Sequence, residues 1–138
     1  MRTLHVGLRV ADLERSIAFY TAVGYAVVGH VPGTGLGHLT MLKLPGDDFV
    51  TVELVHDPAT GGIELGTGLS HLVVQVESLD ATVARLAAAG IDAEDPVSPD
   101  GSADFRTTWI TDPDGRRIEV VQWPAGHADG LTAADWTN

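Results

Sequence analysis

The chain states one pattern twice. His5 opens the segment HVGLRVADLERSIAFYTAVGY and His71 opens HLVVQVESLDATVARLAAAGI, an offset of 66 residues (71 − 5). The same offset carries Val10 to Val76, Leu13 to Leu79, Ala18 to Ala84, Gly24 to Gly90 and Glu53 to Glu119. Self-similarity at a fixed spacing means that one supersecondary unit is built twice. In a chain of 138 residues each copy has about 60 residues, too few to bury a sufficient core alone. The copies are therefore expected to share a core, with each other or with a partner chain.

The first copy reads as strand, helix and three strands. Residues 3–10 alternate, with Leu4, Val6, Leu8 and Val10 on one face and His5, Gly7 and Arg9 on the other. Asp12 is placed as a helix N-cap, Leu13, Ile17 and Tyr20 form one helical stripe, and Gly24 is placed to end the helix. Strands are predicted over 25–31, 38–44 and 49–56, separated by Pro- and Gly-containing turns. The second copy repeats the plan: a strand over 69–76, Ser78 as cap, a stripe of Leu79, Val83 and Leu86, Gly90 as stop, and strands over 91–97, 106–111 and 116–123. Asp112-Pro113-Asp114-Gly115 predicts a hairpin between the last two. The boundaries are a βαβββ module over 1–56, a linker over 57–68, a second βαβββ module over 69–123 and a loosely ordered tail over 124–138. The expected fold class is α+β, two tandem βαβββ modules whose curved mixed sheets surround a metal cavity, forming one domain overall.

Composition narrows the chemistry. There are no cysteines, which removes disulfides, thiolate ligands and a Cys nucleophile. With 8 Lys+Arg against 19 Asp+Glu the net charge is −11, so there is no basic footprint for nucleic acid. No apolar run reaches the roughly 18 residues of a membrane span, and MRTLHVGLRV lacks a signal-peptide pattern. A cytoplasmic protein without a nucleic-acid or membrane partner is expected.

The repeat also places two histidines and two glutamates in register. His5 and His71 sit on the first strand of their modules, Glu53 and Glu119 on the last. A lone carboxylate interrupts an apolar strand in VTVELV and again in RIEVV, and such a group is costly to bury unless paired or on a metal. One strand histidine or glutamate is usually a surface residue, but a His–His and a Glu–Glu match at an offset already set by other residues is not explained that way. Two imidazoles and two carboxylates suit a divalent ion such as Zn2+, Ni2+, Co2+, Fe2+ or Mn2+. His30, His38, His56 and His127 have no histidine at the repeat-related position and are read as surface or supporting residues.

These residues resemble the vicinal-oxygen-chelate superfamily, which embraces glyoxalases, bleomycin-resistance proteins and dioxygenases, and within it glyoxalase I. The segments LHVGLRVADLERSIAFYTAVGY, VELV, IELGTGLSHLVVQV and ITDPDGRRIEVV carry the likeness, from Leu4 to about Gln122. The resemblance implies metal ligands His5, Glu53, His71 and Glu119, with both glutamates catalytic and Glu119 as the main base. It implies isomerisation of a thiol–2-oxoaldehyde hemithioacetal to a 2-hydroxyacyl thioester, as in methylglyoxal detoxification. It further implies Ni2+ or Co2+ as the favoured ion with Zn2+ as the alternative, Arg9 as an anchor for a substrate carboxylate, and a homodimer with shared active sites. Departures cluster where the thiol would bind. Asp57 stands where the bacterial enzymes usually have Asn, and SPDGSADF over 98–105 has no Lys, leaving Arg106 as the substitute cation. The identity of the thiol therefore stays open. The competing readings are another metalloenzyme on this scaffold (an epimerase, dioxygenase or thiol transferase) and a non-catalytic drug-binding protein of the bleomycin-resistance type.

Overall fold

A computed structural model of the chain describes residues 1–136. The elements are β1 (Val6–Arg9), α1 (Leu13–Val23), β2 (Ala26–Thr34), β3 (Gly37–Lys43), β4 (Val52–His56), β5 (His71–Gln75), α2 (Leu79–Ala88), β6 (Arg106–Thr111) and β7 (Arg117–Gln122), with short 3-10 turns at Pro58–Thr60 and Ala133–Trp136. The fold is α+β, with two small mixed sheets and two helices, as expected. The described residues cluster into two compact units: 1–69 with 112–116, and 70–111 with the residues from 117 onward.

The first unit holds a four-stranded sheet ordered β1-β4-β3-β2, in which β1 and β4 are parallel and the other pairs antiparallel. The Asp12 carboxylate accepts from the Arg15 N–H and starts α1. At the other end the Gly24 N–H donates to the Tyr20 and Thr21 carbonyls at a φ of +133°, a conformation open to glycine at no steric cost. Leu8, Val10, Tyr20, Leu42 and Leu54 are almost fully buried and make the core. Gly37, at φ +112°, is a tight spot: a Cβ there would lie 2.5 Å from the His56 carbonyl oxygen. Only glycine lets the β2–β3 turn close against the end of β4.

The hairpin tip, residues 112–116, belongs to this unit through polar contacts. Tyr20 donates its hydroxyl to Asp112 at 2.7 Å, and Arg116 donates to the same carboxylate at 3.1 Å and to the Arg9 carbonyl. Asp114 accepts from the Ala11 N–H and from Arg15. Burial, reinforced by the negative charge and the hydrogen bond of Asp112, pushes the Tyr20 phenol far above its usual range.

The second unit is a three-stranded sheet ordered β5-β7-β6, with β5 and β7 parallel. The Ser78 hydroxyl accepts from the Ala81 N–H at 3.2 Å and caps α2. Val74, Leu79, Leu86, Ile110, Ile118 and Val120 form its core. The DPDG turn closes the β6–β7 hairpin as expected, the Gly115 N–H donating to the Asp112 carbonyl. Two local expectations differ. Residues 91–97 are not a strand; Val97 makes one isolated bridge to Thr107, and the Glu94 N–H donates to the Trp109 carbonyl. Asp92, Glu94 and Asp95 crowd charge along this edge and Pro96 lacks an N–H, so no continuous ladder forms. The tail is tied down over its described part. The Gln75 side chain donates to Asp129 at 2.7 Å and accepts from the Gly130 N–H and Trp123 Nε1. His127 stacks on Trp123 and pairs with Asp135 at 2.7 Å; its hydrogen bonds to the Ala128 carbonyl and to Asp135 hold its imidazole above the usual range. Residues 137 and 138 of the expected tail lie outside the described residues.

Two outcomes check these assignments by denaturant unfolding. Tyr20→Phe removes one donor from buried Asp112 and is expected to cost about 1–2 kcal/mol. Because the phenol is held protonated in the fold, its contribution is present below the ordinary tyrosine pKa of about 10 and lost as pH rises above it; the variant is expected to lose less stability than the native chain between neutral and strongly alkaline pH. Ser78→Ala is expected to cost about 1 kcal/mol through the lost cap.

Candidate metal centre

The geometry of the repeat follows from the parallel pairing in each sheet. β1 pairs with β4 so that Gly7 lies beside Glu53, and β5 pairs with β7 so that Val73 lies beside Glu119. The histidine two residues before Gly7 is His5, and the one two residues before Val73 is His71. Residues two apart on a strand share a face, so each sheet carries one imidazole diagonally across from one carboxylate. His5 Nε2 lies 3.0 Å from Glu53 Oε2, and His71 Nε2 lies 3.6 Å from Glu119 Oε2.

The two pairs are alike in placement and unlike in environment. The Glu53 side chain is only 11% exposed and sits at hydrogen-bond distance from its histidine, whereas that of Glu119 is 24% exposed and stands off. His71 is further fixed by its neighbours. Its Nδ1 is 2.9 Å from the Ser70 hydroxyl, which leaves Nε2 as the nitrogen facing the carboxylate, and its ring meets the Trp109 ring edge-on at a centroid separation of 5.1 Å. Trp109 is the cross-strand partner of Glu119 and also lies against the Arg117 guanidinium. Among the described residues, no group of three or more His, Cys, Asp or Glu side chains is placed to hold an ion; each unit contributes one pair.

The remaining candidates separate. Arg9 shares a strand face with Gly7, next to Val55 in the adjacent strand, so it projects from the face that carries Glu53. Asp57 accepts from the Ala59 N–H and caps the Pro58–Thr60 turn. Arg106 pairs with Gln122, on the face opposite Glu119, and its guanidinium is bound to Asp80 of α2 at 2.8 Å. Arg9 is thus on the same face as the first pair, while Asp57 and Arg106 are engaged elsewhere. Trp109 and Ser70 were not singled out by the sequence. The hairpin turn held a signal for Trp109, since counting back from DPDG sets it opposite Glu119; a serine before a histidine carries no such signal.

No helix among the described residues is long and apolar enough to cross a membrane. A model of the Glyoxalase/Bleomycin resistance protein/Dioxygenase superfamily matches residues 2–120. The chain is 31% identical over 131 residues to a probable lactoylglutathione lyase of Vibrio cholerae, covering 92% of this chain and 94% of that one. It is 26% identical over 138 residues to the lactoylglutathione lyase of Salmonella typhimurium, covering 88% and 93%. Among solved structures it is similar to the trypanothione-dependent glyoxalase I of Leishmania major, with a TM-score of 0.71, 25% identity and coverage of 88% and 86%. With a family match spanning most of its length and a pair of His–Glu sites on repeated sheets, the chain belongs to the Glyoxalase/Bleomycin resistance protein/Dioxygenase superfamily.

Proposed function

We propose that this protein is a metal-dependent lyase of the glyoxalase I type, acting on the hemithioacetal of a small thiol and a 2-oxoaldehyde and releasing a 2-hydroxyacyl thioester. The observation that carries this reading is the repeated pair: an imidazole Nε2 facing a carboxylate oxygen at equivalent positions of both sheets. A probable lactoylglutathione lyase and a lactoylglutathione lyase, related over nearly the full length, support it.

The donor set fits a divalent ion. Two neutral imidazoles and two carboxylates are borderline nitrogen and oxygen donors, suited to Ni2+, Co2+ or Zn2+. His5, Glu53, His71 and Glu119 would hold it, either within one chain or across two chains of a homodimer. When bound, such an ion supplies Lewis-acid polarisation of the substrate oxygens.

The protein's own groups then divide the work. Glu53, nearly buried and close to His5, is held as a fixed ligand. Glu119 stands further from its histidine and is more open, so its carboxylate is free to move a proton. It takes the proton from C1 of the hemithioacetal as the C1–C2 double bond of the enediolate forms and returns it at C2 as the C1 carbonyl of the thioester forms, while the hydroxyl proton of C1 passes to the oxygen on C2, which becomes the product hydroxyl. No proton or electron is gained or lost overall. Trp109, packed edge-on against His71 and paired across the strands with Glu119, fixes the imidazole beside that carboxylate. Arg9, on the face of the first pair, would anchor a carboxylate of the thiol. Arg106 would have to exchange Asp80 for substrate to do the same, and Asp57 would have to leave its turn. With no lysine over 98–105, the thiol remains to be found among small thiols other than glutathione as well as glutathione itself.

Glu119→Gln keeps an oxygen donor but removes the base. It is expected to retain the ion and lose turnover by at least about 100-fold, measured with methylglyoxal and a panel of low-molecular-weight thiols; native-like turnover would remove Glu119 from its role. A native chain that takes up no divalent ion and turns over no adduct would favour a binder of cationic drugs, for which the net charge of −11 is suited.

A further inference from the structure

We propose that His30 and His38 form a second transition-metal site, on the β2–β3 hairpin. His30 pairs with Thr40 across the hairpin, and His38 is two residues from Thr40 on β3, so all three side chains share one face. His30 Nδ1 lies 3.1 Å from His38 Nε2 and 3.1 Å from the Thr40 hydroxyl oxygen. Their rings are tilted at 50°, so they are not stacked. In a first-row complex with metal–nitrogen bonds of about 2.0–2.1 Å, neighbouring donors stand roughly 2.9–3.4 Å apart. The two imidazole nitrogens are thus already at the spacing of neighbouring donors on one ion, and the Thr40 hydroxyl stands at the same distance from the first of them. Each ring presents its lone pair there when its proton is on the other nitrogen, so no charged group has to be created.

This site is separate from the pairs described above. Thr40 pairs with Leu54 and Met41 with Glu53, so the histidines share the face of Leu54, the core side, and Glu53 is on the other. On the neighbouring strand His56 is the cross-strand partner of His38. Its Nδ1 lies 3.3 Å from the Val10 carbonyl oxygen, which turns Nε2 away from that contact. Water would complete the coordination, since no third His, Asp or Glu is placed to do so among the described residues. Neutral nitrogen and hydroxyl donors select Cu2+, Ni2+ or Zn2+ over Mg2+ or Ca2+. The inference does not rest on the proposed enzyme activity.

Zn2+ is the probe. In the chelator-stripped native chain, the imidazole 15N signals of His30 and His38 are expected to shift together as Zn2+ is added, and not with Mg2+. By equilibrium dialysis, His30→Gln/His38→Gln is expected to bind one Zn2+ fewer per chain than the native protein. Unmoved His30 and His38 signals at saturating Zn2+, or equal Zn2+ content in the two proteins, would overturn the site. The signals of His5 and His71 are read in the same spectra, so the fate of the first proposal is recorded separately.

Discussion

The parallel pairing of first and last strand in each repeat is the constraint on which the site depends. Without it, His5 and Glu53 are 48 positions apart along the chain (53 − 5), as are His71 and Glu119 (119 − 71). With it, each histidine falls diagonally across from its glutamate on one face. A parallel ladder needs a crossover between its strands, and here α1 with β2 and β3, or α2 with β6, supplies it. Helix and sheet bury the apolar side, which leaves the opposite side free to carry polar groups. Glu53 shows what this entails. It is 8% exposed in the middle of an apolar strand, and withdrawing a carboxylate from water costs several kcal/mol unless it is compensated. The imidazole at 3.0 Å is the compensation within the first unit.

Duplication makes the halves similar without making them identical. At the position across from the carboxylate the first sheet has Met41 and the second has Trp109. In the first sheet Glu53 lies close to His5. In the second, Trp109 packs against His71 and Arg117, and the second carboxylate stands off from its histidine. That difference is what the proposed division rests on, in which one glutamate holds and the other reacts.

Much of this was legible in the residues, because period and caps are local. The offset located both His–Glu pairs, Asp12 and Ser78 marked the helix starts, and DPDG marked the hairpin. Most of what escaped depended on partners far along the chain. The tail reads as polar and loose, yet Gln75 on a distant strand offers both a donor and an acceptor to it. Residues 91–97 have strand-like spacing, but edge charge and Pro96 leave only one bridge. The direction of Arg106 is set by Asp80 in α2, which spacing along β6 could not reveal. The His30–His38 contact needed the register of an irregular hairpin, with shifts between Val27 and Gly29 and between Val31 and Thr34.

The central claim is that the two repeats serve one ion. Crystals grown with Ni2+ and measured at its absorption edge test this directly, because the anomalous signal locates the ion regardless of expectation. The expected result is a peak within bonding distance of His5, Glu53, His71 and Glu119 together, with the two pairs drawn from one chain or from two chains about a twofold axis. Ions found on each pair alone, or on neither, would contradict it.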